Sequence, residues 1–146
     1  MKRNFVTGIL TTLAVLLLIS VPSTYAQIRV RVTVPFNFTV GKAEMPAGTY
    51  TISRAGAFSS VIEIKGSTTK KSVVSMVRSG GTSSSDSTAK LVFNQYGERY
   101  FLSQVTRGYG ADVMQLPTSK LEQEQRIEST SRASEQKVVV AARAQK

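Results

Sequence analysis

Beyond residue 27 the chain alternates apolar and polar residues with a period of two through most of its length. Ile28, Val30, Val32 and Val34 alternate with Arg29, Arg31 and Thr33, which predicts a strand with aliphatic side chains on one face and both arginines on the other. Pro35 interrupts the backbone donors and predicts a bend or an edge. Phe36, Phe38 and Val40 then resume the pattern against Asn37 and Thr39. Residues 41–48 read as loop and turn, with Pro46 and Gly48 supplying fixed and permissive dihedrals. Thr49–Ser53, Val61–Lys65 and Ser72–Arg78 are the next expected strands. In the second of these, Ile62 and Ile64 point inward while Glu63 and Lys65 point outward.

Residues 79–89 are rich in Gly, Ser and Thr and offer little to bury, so a mobile loop is expected there. Lys90–Gln95 and Arg99–Thr106 form a hairpin around Tyr96, Gly97 and Glu98. Short strands separated by turn signals predict a single all-β domain of antiparallel strands, sandwich-like or a small barrel.

The pattern changes near the C-terminus. Leu116-Pro117 closes the β region, and Ser119-Lys120-Leu121-Glu122 has the form of a capping box opening a helix. Only Leu121 and Ile127 stand apolar among Glu122, Glu124, Arg126 and Glu128, so this helix is expected to be polar and lightly docked. Lys137–Arg143, with Val138, Val139 and Val140, reads as a last strand at a sheet edge.

The first 26 residues follow other rules. Lys2 and Arg3 precede an uncharged stretch with an apolar centre at Ile9–Ile19, and Thr24 and Ala26 place small side chains at the third-last and last positions. This is the form of a secretory signal peptide cleaved between Ala26 and Gln27. Its apolar centre is shorter than the roughly 20 residues a membrane-crossing helix needs. No second such run follows, so no transmembrane helix is expected after cleavage. The expected division is a signal peptide at 1–26, a β domain at 27–116, a polar helix and linker at 117–136, and a strand and tail at 137–146. Export points to a secreted or periplasmic bacterial protein, and it disfavours intracellular nucleic acid as a partner.

Charge sharpens this. The chain holds 19 Lys and Arg against nine Asp and Glu. Two of the basic residues precede the cleavage point, leaving about +8 on the expected mature chain. Such a field favours an anionic envelope polymer, and another surface protein is the alternative partner. It also keeps a β-rich surface soluble and its edges unpaired.

Catalytic chemistry finds little support. The chain has no His and no Cys, which removes the commonest general base, the thiol nucleophile and the usual transition-metal ligands. No cofactor is expected. Ser67-Thr68-Thr69-Lys70 matches the S-x-x-K of serine acyl-transfer enzymes, but it falls in a turn and lacks the K-T-G partner motif. Glu44, Glu63, Glu98 and Asp112 are the carboxylates from which a glycosidase pair could be drawn; nothing in the sequence brings two of them together. Asn37-Phe38-Thr39 matches a glycosylation acceptor, but Asn37 falls inside an expected strand. A spanning barrel of outer-membrane type is disfavoured, because the strands are short of the roughly 9 to 11 residues required and there are no aromatic girdles.

Aromatic residues cluster between positions 93 and 109. Tyr100 and Phe101 are adjacent and so point to opposite faces of a strand. Tyr96, Arg99, Tyr100, Arg107 and Tyr109 are therefore a candidate ligand patch, unless the helix or a facing sheet covers the second face.

Three stretches carry a resemblance. They are Val34-Pro35-Phe36-Asn37-Phe38-Thr39-Val40-Gly41 with Pro46-Ala47-Gly48-Thr49-Tyr50, then Leu91-Val92-Phe93 with residues 96–105, and Leu116-Pro117-Thr118-Ser119-Lys120. Together they resemble a group of short, signal-peptide-bearing β-rich secreted proteins common in acidobacterial genomes. The resemblance implies a secreted β domain and brings no activity with it. Members of the group often carry His where Asn94 stands, so Asn94 here speaks against catalysis at that position. The expected function is a non-enzymatic structural or ligand-binding role at the cell envelope. The alternatives are a hydrolase of wall or matrix polymers, and an adaptor in which Val138–Val140 adds a strand to a neighbour.

Overall fold

The alternation of residues 29–34 becomes β1 (Arg29–Val34), whose valines are buried and whose arginines are exposed. The computed structural model of the chain describes residues 29–55, 60–82, 88–108, 110–130 and 136–145. The expected signal peptide, with Ala26 and Gln27, lies outside the described residues, as do Tyr109 and positions 83–87 of the expected loop. After the bend at Pro35 come β2 (Phe38–Val40) and β3 (Ala43–Met45), then β4 (Gly48–Arg54), β5 (Val61–Gly66), β6 (Ser72–Met76) and β7 (Arg78–Thr82). The hairpin expected from the sequence is β8 (Ala89–Tyr96) and β9 (Arg99–Thr106), joined at Gly97-Glu98. Gly97 has φ +61° there, a value that favours glycine. β10 (Asp112–Gln115), helix α1 (Lys120–Thr130) and β11 (Gln136–Gln145) complete the described elements.

Strand order gives a nearly closed barrel. The main path runs β3-β2-β9-β8-β11-β1-β4-β5-β6, and β10 pairs with both β9 and β7. Only Val77 separates β6 from β7, so one run of chain pairs with β5 through its first half and with β10 through its second. That run carries the sheet round on itself. Val77 is buried, and its N–H bonds the Ser60 carbonyl at 2.7 Å, which holds the passage between the halves. The β2–β3 hairpin shares the second edge of β9 through a parallel bridge between Thr39 and Phe101.

The interior is filled by the apolar faces of these strands. Val30, Val32, Val34, Tyr50, Ile52, Ile62, Ile64, Leu91, Phe93 and Val105 form one buried cluster, each side chain contributing about 2 kcal/mol by leaving water. An aromatic group organises one end of it. Phe93 receives Phe36 and Phe38 edge-on, at centroid distances of 5.2 and 5.4 Å. Tyr50 meets Phe38 at 5.1 Å, and its hydroxyl donates to the Pro46 carbonyl.

The sequence expectations need five corrections. Residues 43–45 form a strand rather than loop, because β2 folds back through Gly41-Lys42 and β3 pairs with it. Thr39 is buried instead of outward, in a strand that pairs with β3 on one edge and bridges to Phe101 of β9 on the other. Residues 79–82 belong to β7 rather than to a loop; β7 is wholly exposed and is held by its pairing with β10. Asn37 lies just before β2, where its side-chain oxygen accepts the Ala47 N–H at 2.9 Å.

The largest correction concerns the last strand. β11 is not at an edge: it pairs with β8 from Gln136 to Ala142 and with β1 from Arg143 to Gln145. Its two edges meet different partners along its length, and Val138–Val140 are paired along one edge, with Phe93, Val92 and Leu91 of β8. Residues 136–145 are part of the barrel, not a tail behind it.

Helix α1 lies outside the barrel on the β8–β9 hairpin. It starts where expected, with the Glu122 N–H bonding the Ser119 hydroxyl at 3.2 Å. The capping box is only half made, because the Glu122 carboxylate turns away to accept from the Asn94 side chain at 2.9 Å. As expected the helix is mostly exposed, Ile127 included. The group it buries is a carboxylate, Glu122, at 5% exposure.

Candidate functional site

The outward residues of β1 begin a basic row. Arg31 stands directly across from Arg143 on β11 and from Thr51 on β4. Thr51 is opposite Lys65 on β5, and Lys65 is opposite Ser72 on β6. Directly paired residues share a face, so Arg143, Arg31, Thr51, Lys65 and Ser72 run across five strands in one line. At the roughly 4.8 Å spacing of neighbouring strands, Arg31 and Lys65 stand about 10 Å apart at the backbone. Arg31, Lys65 and Arg143 are exposed, and among the described residues none has a carboxylate within ion-pair distance. Opposed like charges are unfavourable by some tenths of a kcal/mol.

Beside the row lies a groove of about 700 Å³, lined by Arg31, Thr33, Thr49, Thr88, Ala141 and Arg143. Thr33 and Thr49 hydrogen-bond each other across β1 and β4 at 3.0 Å. The outward residues Arg29, Arg31 and Thr33 reverse the apolar outer band of a membrane-spanning barrel. No helix among the described residues is long and apolar enough to cross a membrane.

The candidate aromatic patch does not assemble as one surface. Tyr96 is buried, with its ring 5.9 Å from that of Phe101, on the hairpin face that α1 covers. Arg99 is exposed at the start of β9. Tyr100 points the other way from Phe101 and stacks on Phe36 at 4.0 Å with the rings 22° apart. Arg107 follows the far end of β9, about 25 Å from Arg99 at 3.3 Å per residue. There it joins Arg54 and Asp112. The fifth member, Tyr109, lies outside the described residues.

Arg54, Asp112 and Ser79 form the most ordered polar group. Arg54 donates to Asp112 at 2.6 Å, and Ser79 donates to the other carboxylate oxygen at 2.6 Å. The Ser79 hydrogen bond holds the Asp112 carboxyl below the usual carboxylate range; desolvation opposes this, and Arg54 adds to it. Arg107 is lowered by burial and then by the neighbouring Arg54 charge, partly offset by Asp112. Its Nε is buried without a hydrogen-bond partner among the described residues. The group ties β4, β7 and β10 together where the barrel comes round.

Two of the four candidate carboxylates, Glu44 and Glu98, line one cleft of about 280 Å³ over β2, β3 and the start of β9, together with Asn37, Lys71, Arg99 and Tyr100. Both are exposed. Glu63 instead accepts from Ser72 on the outer face at 3.0 Å, and Asp112 belongs to the Arg54 group. The Ser67–Lys70 motif sits in the turn between β5 and β6, as its sequence context suggests.

No family model, no curated protein and no solved structure matches the chain.

Proposed function

We propose that the chain is an exported, non-enzymatic binding module of the bacterial cell envelope, periplasmic or secreted, which holds an anionic polymer on its basic outer sheet face. The observation that carries this reading is the row Arg143, Arg31, Thr51, Lys65 and Ser72. Arg143 and Arg31 stand at strand spacing with Lys65 two strands further on, none of them in an ion pair among the described residues, while Ser72 holds the Glu63 carboxylate at the far end of the row. A polymer of repeated phosphates or carboxylates laid across the strands relieves the repulsion of the arginines. The form of residues 1–26 and the resemblance drawn from the sequence support export. Glu44 and Glu98 are both exposed, open to the water that a closed active site expels, which favours binding over hydrolysis.

The test is co-sedimentation of residues 27–146 with envelope preparations from the source cells, at low and high salt. Binding is expected to fade as salt rises, because exposed charges are screened beyond about 8 Å at physiological ionic strength. The R31Q/R143Q double variant should lose it, while Lys42→Gln, in the β2–β3 turn, should not. Binding that ignores salt, or survives the double variant, would remove the basic face from the function.

A further inference from the structure

The cleft over β2, β3 and β9 has chemistry unlike that of the basic face. Its charges balance, with Glu44 and Glu98 against Lys71 and Arg99. None of the four is in an ion pair among the described residues. Lys71 is instead fixed by donating to the Glu44 carbonyl at 3.0 Å, across the gap between β3 and the chain entering β6. The oxygen of the Asn37 side chain is taken by Ala47, which leaves its NH₂ group to donate. The Tyr100 hydroxyl has no protein partner among the described residues. Its ring is backed on one face by Phe36 and held flat. The cleft therefore presents two held donors, Asn37 and Lys71, the exposed side chains of Glu44, Glu98 and Arg99, and one aromatic ring, with no net charge among its ionised groups.

We infer that this cleft is a carbohydrate site taking a neutral sugar unit. Sugar hydroxyls both donate and accept, so they satisfy Glu44 and Glu98 on one side and Asn37, Arg99 and Lys71 on the other. The C–H face of the sugar packs against the exposed part of Tyr100. A free anion meets two carboxylates here and gains nothing over the basic face. An apolar ligand would strip water from four charges without replacing it. A volume of about 280 Å³ is near the lower end of small-ligand sites and suits a short piece of glycan. The inference stands apart from the polymer reading, since it shares no residue with the basic row.

The experiment is a titration of ¹⁵N-labelled protein with glucose, N-acetylglucosamine and their β-1,4-linked dimers, followed by amide chemical shifts. Saturable shifts are expected at Asn37, Glu44, Glu98, Arg99 and Tyr100. Tyr100→Leu, which keeps an apolar group against Phe36, should weaken binding about ten-fold. The exposed variant Glu98→Gln should weaken it without disturbing the fold. The R31Q/R143Q protein should bind sugar normally, which separates this site from the polymer face. Shifts elsewhere only, no shifts with any of the four sugars, or shifts at these residues with glycylglycine but not with sugar, would each overturn the assignment.

Discussion

Asn94 on β8 donates a 2.9 Å hydrogen bond to the buried carboxylate of Glu122 on α1. No other side-chain partner of that carboxylate exists among the described residues. The other end of the Asn94 amide, Oδ1, is buried without a partner among the described residues. The helix is thus seated by polar pairing more than by apolar contact.

Asn94→Leu removes the donor and leaves the carboxylate buried. Leaving such a group unsatisfied costs about 1–3 kcal/mol or more. The expected outcome is a lower urea midpoint together with faster amide exchange in residues 120–130. Ile127→Ala is the control: the side chain is 71% exposed, so its loss should change stability by less than about 0.5 kcal/mol.

Acid should act through Asp112. Its carboxyl is held down in the folded protein, so the stabilisation is complete above the unfolded value of about 3.9 and is lost as pH falls through the lower folded value. Asp112→Asn should therefore destabilise the protein near neutral pH and flatten the acid limb of its stability curve. Thermal unfolding of both proteins from pH 2 to 7 reads this directly, and the curves should converge at the acid end.

Much of the barrel could be read from the chain, and the exceptions have physical causes. β1 and β5 are visible because each alternates against one apolar interior, and β8 and β9 because apolar-rich runs flank the turn at Gly97-Glu98, even though their burial does not alternate strictly. β7 is hidden because Arg78-Ser79-Gly80-Gly81-Thr82 buries nothing and holds by backbone pairing to β10. β3 is three residues long and flanked by turn-forming residues. The placement of β11 is hidden for another reason: Lys137 and Arg143 point outward whether the strand is central or at an edge. For the sites, the alternation exposes Arg31, but only register sets Arg143 opposite it. Likewise nothing in the composition of the helix marks Glu122 as its anchor, because a carboxylate in a charged helix reads as solvated.

Gly66 is required by its neighbours. A Cβ there would strike the Thr69 hydroxyl and lie 2.5 Å from the Thr69 carbonyl oxygen. Gly66→Ala should cost about 1–3 kcal/mol, as overpacking against backbone does. At Gly80 the obstacle is the Gln115 side chain, which can swing aside, so Gly80→Ala should be much milder. Chemical denaturation of the two variants side by side separates these cases.

Removing residues 136–145 should abolish folding rather than trim a tail. The deletion takes away the strand between β1 and β8 and bares an edge on each. Loss of a cooperative unfolding transition and of dispersed amide resonances is the expected result. A truncated protein with the same midpoint as the intact chain would refute the central placement.

That placement also sets a clock. Arg29, among the first residues of β1, has Gln145 as its partner in register, so one neighbour of β1 is made only after nearly the whole barrel sequence has been synthesised. A chain threaded N-terminus first through a narrow channel delivers β1 while β11 is still on the near side. Under the proposed export, the barrel could not be completed on either side during that passage. Completion waits for a contact between distant parts of the chain, the slow kind of closure, and it comes only once both ends share one compartment.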